Sequence, residues 1–253
     1  MLAEPFVHVA SNFAMILQSP EHGIVNAPSA NDLARAFIRW SHFVGGITWI
    51  GLLYFFNLVN VPLMKKLDGP TKSKVIPELL PRALWYFRWG AVVTVLAGLA
   101  YYGSYIMRTD AHNAGQSTLV WFSLWLLVVV VLYAIMFGVL QNVNNGYAIA
   151  AIVAILAIVL IWATLYLFGD RGAGNKTLSI GVGGGMGIWM MLNVWGIIWR
   201  YQKKIIAATI EGTTAPADLA RKAFLASRTN AWLSLPMLFF MAASHGDYII
   251  FAK

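Results

Sequence analysis

The chain contains no cysteine. Disulfides, thiolate metal sites, iron–sulfur clusters and haem attached through a Cys-x-x-Cys-His run are therefore excluded within it. Charge is scarce too: 11% of the 253 residues are Asp, Glu, Lys or Arg, against roughly a quarter in an ordinary soluble domain. Acid is scarcer than base, 10 residues against 18, which leaves a net charge of +8. In a soluble protein that excess would suggest nucleic acid. In a chain that is 59% apolar it reads as basic loops on the inner face of a lipid bilayer, and no nucleic-acid partner is expected. No ionisable pair falls in the middle of an apolar run, and the two halves show no evident repeat. Both absences argue against a proton pump or an ion-driven transporter. Nor do the first 30 residues read as a cleavable signal, because Glu4 stands where basic charge belongs and no long apolar core follows.

What is present is apolar length, with a mean hydropathy of +0.68. Six runs approach the roughly 20 residues that cross hydrocarbon: 37–61, 84–107, 119–140, 148–168, 178–199 and 232–244. The last is short unless its helix begins near Arg228. The expected fold class is all-α, a polytopic transmembrane bundle of about six spans. Residues 1–33 form an outer segment, and 34–253 form one membrane domain. Residues 6–17 have the spacing of an amphipathic surface helix. The connections are a basic, proline-bounded stretch at 62–81, polar turns at 108–117 and 141–146, a glycine-rich turn at 169–177, and a longer basic link at 200–228. Within that link, 216–226 has helical spacing with Pro216 in the first turn.

Basic residues divide unevenly between the two sides. Lys65, Lys66, Lys72, Lys74, Arg82, Arg88, Arg200, Lys203, Lys204, Arg221, Lys222 and Arg228 share one side, 12 of the 18. Arg35, Arg39, Arg108, Arg171, Lys176 and Lys253 share the side of both termini. The bias predicts termini outside, which is periplasmic in a bacterial cytoplasmic membrane. All five histidines (His8, His22, His42, His112, His245) then face outward. Trp40, Trp85, Trp89, Trp121, Trp199 and Trp232 suit interfacial anchoring.

His42 opens the first span in Arg39-Trp40-Ser41-His42-Phe43-Val44-Gly45-Gly46, continuing through Trp49 to Gly51. A ligand-capable side chain at membrane depth is costly unless partnered, and so marks a candidate site. His245 lies at a similar depth at the end of the last span, so both imidazoles can face one cavity if those helices are neighbours. Gly45 and Gly46 lie one turn inward. Gly181, Gly183, Gly184, Gly185 and Gly187 open the fifth span at the same level. Glycines four apart let membrane helices approach closely; alternatively, they leave room for a planar ligand. Asn57, Asn60, Thr94, Asn193, Asn230 and Ser234 are placed to hydrogen-bond between helices, and Glu78, Arg82 and Arg88 to form a solvated belt.

Three blocks in order resemble the membrane domain of bacterial membrane-anchored, cytochrome c-linked urate oxidases. They are Arg39–Gly51; Trp85-Tyr86-Phe87-Arg88-Trp89 with Thr94 and Gly98; and Ser227-Arg228-Thr229-Asn230-Ala231-Trp232 through Pro236 to Ser244-His245. Asn193-Val194-Trp195 with Gln202-Lys203 is similar to the family's fifth span. The resemblance covers about 35–246. It implies a membrane redox protein that oxidises urate and passes electrons to a separate periplasmic cytochrome c or respiratory partner. The C-terminal haem domain of that family lies outside this resemblance. His42 and His245 match its histidines; on the redox reading they either bind and deprotonate a small oxidisable substrate or ligate a non-covalent haem b, with Gly45, Gly46 and Gly184 beside the ligand. Trp85, Gly90 and Arg228 stand where the pattern would place a histidine, an acid and a second histidine. The alternative is a non-catalytic subunit or assembly factor of a respiratory complex.

Overall fold

The computed structural model describes residues 28–245 and 249–251. The expected surface helix at 6–17, with His8 and His22, lies outside the described residues. The chain divides into two compact units, Met1–Phe37 and Ile38–Lys253. In the first, the Ser29 hydroxyl accepts the Asp32 amide at 3.2 Å and donates to its carboxylate at 2.7 Å. This closes the start of the first helix.

All regular structure among the described residues is helical. Helix α1 is Ala30–Lys66, α2 Gly69–Asn113, α3 Thr118–Asn142, α4 Gly146–Gly169 and α5 Asn175–Ile210, and each is long and apolar enough to cross a membrane. Helix α6, Ala217–Ala243, is 27 residues long, but Asp218, Arg221, Lys222 and Arg228 occupy its first half. Its apolar part is the run that follows Arg228. This is a multi-pass membrane protein.

Several helices outrun their apolar runs. Residues 69–81, expected as a connection, are the first turns of α2. Pro70 sits at the first turn, where a missing amide costs nothing. Pro77 and Pro81 are four apart beyond the apolar run, where carbonyls they leave unbonded meet water. The turn expected at 108–117 begins with one more helical stretch, Arg108–Asn113. The link at 200–228 is likewise mostly helix, broken between Ile210 and Ala217. Pro216 caps α6 as its sequence position predicts. Among the described residues, four wide π-helical turns interrupt the helices, at Phe55–Asn60, Tyr102–Met107, Leu165–Gly169 and Val194–Trp199.

Helix α5 is the centre of Ile38–Lys253. Its glycines are seats for neighbours: a Cβ on Gly181 would lie 2.9 Å from the Tyr102 hydroxyl, on Gly185 2.9 Å from Leu160, and on Gly183 3.1 Å from the Met237 carbonyl. Indole and phenol donors bridge the same joints. Trp125 donates to the Gly181 carbonyl (2.9 Å), Trp189 to Val129 (2.8 Å) and Tyr102 to Thr177 (3.0 Å). Trp121, expected at an interface, is wholly buried against Phe168, ring centroids 5.1 Å apart. Trp40, Trp85, Trp89 and Trp232 do face outward.

The polar turns gather at two ends. At one, Gly174 donates to Asp110 (2.8 Å), and Asn175 donates to the Ala243 carbonyl (2.9 Å) while accepting from Ile250 and Phe251 (3.1 Å each). At the other, Tyr201 donates to Gln141 (2.6 Å) and Arg221 to the Asn144 carbonyl. The basic residues 65–82, 200–204 and 221–222 belong to this second end.

Candidate functional site

A small-residue stripe positions His42. Gly90, Thr94 and Gly98 follow one another at four-residue spacing on α2, so they share a face. A Cβ on Gly45 of α1 would come within 3.1 Å of the Gly90 carbonyl and 2.8 Å of the Thr94 hydroxyl, and one on Gly90 would lie 3.2 Å from the Gly45 carbonyl. The two backbones therefore nearly touch, as small residues permit in membranes. One turn along, the His42 ring rests on Gly98, where a Cβ would lie 3.0 Å from Nδ1. The ring's Nδ1 sits 2.8 Å from the Thr94 carbonyl oxygen.

That bond decides the tautomer. A carbonyl only accepts, so Nδ1 carries the proton and Nε2 keeps its electron pair in neutral imidazole. His245 repeats the arrangement just beyond the end of α6. Its Nδ1 lies 2.8 Å from the Met241 carbonyl and 3.0 Å from the Ser244 hydroxyl, and that hydroxyl itself donates to Met241 at 2.7 Å. Phe43 stands between the two imidazoles, its centroid 6.3 Å from His42 and 6.5 Å from His245.

Both histidines line one cavity of about 1410 Å³, walled by α1, α2, α3, α5 and α6. That exceeds the 300–1,000 Å³ or so of a drug-sized ligand pocket. Arg39 and Tyr101 stand at the histidine end, with the guanidinium 5.7 Å over the ring. Trp125, Ile188 and Met237 form interior wall, and Tyr54 lies two turns or more beyond Gly46. The sequence placed His42, His245, Gly46 and Gly184 here, and the structure brings all four to the lining. Gly45 is outside the lining and acts as the α1–α2 seat. His112 lies elsewhere, in a small depression with Arg108, Thr109 and Asn113.

Glycines therefore divide by what faces them. Gly51 and Gly187 line the cavity, and a Cβ on either would meet nothing within 4 Å. Gly184 lines it in ordinary contact with Trp125 and Met241. Sequence reasoning gave Tyr54 and Gly98 no site role. The Gly90/Thr94/Gly98 spacing was the signal for Gly98; for Tyr54, which meets Ser234 on α6 at 2.9 Å, no pattern announced the contact.

Beyond the cavity floor lies a buried amide set. Asn57 donates to Ser227 Oγ (2.9 Å) and to the Leu53 carbonyl (2.9 Å); Asn193 donates to Asn230 Oδ1 (2.8 Å), and Asn230 to the Met190 carbonyl (2.8 Å). These bonds join α1, α5 and α6 as expected. Thr94 differs, because its hydroxyl returns to Gly90 on its own helix at 2.6 Å. Arg88 also leaves the expected belt. Glu78 and Arg82 pair at 3.2 Å in the open, while Arg88 lies 3.9 Å over the Trp199 ring. Trp85 faces outward, and Arg228 lies 5.5 Å over Phe224. Neither they nor Gly90 line the cavity.

Fold and site together define a polytopic helical membrane protein with a ligand-sized cavity edged by two oriented histidines. The chain belongs to the urate oxidase N-terminal family, whose model matches residues 67–252. His245 falls inside that match, while His42 and the rest of α1 precede it. No curated protein and no solved structure matches the chain.

Proposed function

We propose that the chain is the membrane part of a urate oxidase-type redox system, with its reacting centre in the cavity between His42 and His245. The observation that carries this is the pair of imidazoles on one cavity, each with Nδ1 committed to a carbonyl and Nε2 left with its electron pair. Such a nitrogen takes a proton from an N–H or O–H substrate or ligates a metal. Electrons leave on the outer side, to a separate cytochrome c or another respiratory partner, in a bacterial cytoplasmic membrane. The end of the bundle poorer in basic charge supports that orientation.

A non-covalent haem b suits the residues present. His42 would hold it through its neutral imidazole, with Gly46 and Gly184 as thin wall and Arg39 at the histidine end suiting anionic substituents. Bound there, haem would supply one-electron chemistry. The chain's own residues do the rest: Thr94 and Met241 hold the rings in one tautomer, Gly98 fixes the plane of His42, and the apolar wall excludes water. Urate-dependent reduction of added cytochrome c by the purified chain tests the reading. Activity that falls about 10²-fold or more in His42→Gln, in line with loss of a general base or ligand, supports it. Activity unchanged in both His42→Gln and His245→Gln contradicts it.

One observation favours a second reading, a non-catalytic subunit or assembly factor. Trp85, Gly90 and Arg228 bring no proton-handling group to the cavity. That reading expects co-purification with a larger complex and no turnover of urate by the isolated chain.

A further inference from the structure

The cavity reaches the lipid-facing surface between α1 and α6. Ile47 on α1 and Leu238 and Phe239 on α6 line it and are also exposed on the outside of the bundle. The opening is framed at one end by Phe43 against His245, centroids 6.5 Å apart, and at the other by Tyr54 bonded to Ser234 at 2.9 Å. Phe43 to Tyr54 is eleven residues of helix, roughly 16 Å at 1.5 Å per residue. Within this frame Gly51 and Gly187 withhold side chains where there is room for them.

Tyr54 and the two histidines bring acceptors to the space, while Arg39 lines the histidine end as a donor. Ser234 gives its hydroxyl proton to the Ala231 carbonyl at 2.7 Å, so in the Tyr54–Ser234 bond Tyr54 is the donor and its oxygen keeps lone pairs. His42 and His245 have likewise given their Nδ1 protons to carbonyls. Tyr54 Oη and the Nε2 of His245 are therefore acceptors, with the Nε2 of His42 left to the redox centre. A chamber open to lipid, apolar in its walls and offering acceptors suits a ring that carries hydroxyl hydrogens and trails an aliphatic tail.

We propose that the window between α1 and α6 admits a prenylated quinone, which serves as the two-electron acceptor of this site; this rests on the redox reading above and names its lipid-soluble partner. The purine-type donor loses two electrons and two protons. The quinone gains both, its two ring carbonyls becoming hydroxyls. Those hydroxyls donate to the acceptors, so the site holds the reduced form more tightly than the oxidised form. Preferential binding of the product form draws electrons toward the quinone by linkage.

Titration calorimetry of the detergent-purified full chain with decylubiquinone and decylubiquinol tests this, beside organic extraction of the protein as it leaves the membrane. The expected result is saturable binding, tighter for the quinol, and quinone in the extract. Gly51→Leu and Gly187→Leu, whose side chains enter open space, should weaken both ligands about tenfold or more without lowering the thermal midpoint. No saturable heat with either ligand, affinities unchanged in both variants, or an extract holding phospholipid alone overturns the proposal. Quinol binding without urate turnover fails the redox reading only; cytochrome c reduction without quinol binding fails this inference only.

Discussion

His42 is held by one carbonyl and one absent methyl group. The Thr94 carbonyl accepts its Nδ1 proton in a hydrogen bond, and Gly98 leaves the space in which the ring rests against α2. Gly98→Ala puts a Cβ 3.0 Å from Nδ1, so the ring must tilt and the bond to Thr94 must lengthen. The expected cost is about 1–3 kcal/mol, the usual range for overpacking, read by thermal unfolding in detergent, with site activity lowered alongside. An unchanged midpoint and activity would show that the ring is not seated there. At this scale the sequence announced the histidines and the glycines but not their division of labour. Gly45 and Gly187 look alike in a string. One meets a backbone 3.1 Å away and the other meets nothing within 4 Å, and that difference is made by residues on other helices.

Among the elements, the five long apolar helices were legible because apolar length is a property of the chain alone. Their ends were not: α2 begins at Gly69 and passes through Pro77 and Pro81, since proline ends a helix only where its freed carbonyl finds no other partner. The four π turns were equally silent, being local adjustments that keep faces aligned against neighbours. Pairing between helices was partly legible. Asn193 and Asn230 were visible as polar residues at membrane depth, and the structure bonds them directly at 2.8 Å. A double-mutant cycle of Asn193→Leu and Asn230→Leu should give a coupling of roughly 0.6–1.7 kcal/mol, the range for buried polar pairs in membranes. Strict additivity would mean that the two amides do not meet.

For the whole molecule, charge partition predicts orientation, and within Ile38–Lys253 the described polar turns collect at two ends. With no native cysteine, a single introduced thiol reports without background. Gln116→Cys lies at the end that holds His245, and Thr213→Cys in the α5–α6 turn at the opposite end. In intact cells a membrane-impermeant maleimide should label position 116 and leave position 213 until the membrane is opened. The reverse pattern would invert the molecule and put the histidine cavity on the cytoplasmic side.

Whether the cavity edged by His42 and His245 holds a redox centre is read from the optical spectrum of the detergent-purified protein. A Soret band is expected, lost in His42→Ala, with the folded fraction of the variant checked by thermal unfolding. A colourless wild-type preparation, free of haem and of any other redox cofactor by extraction and metal analysis, would contradict a redox centre there.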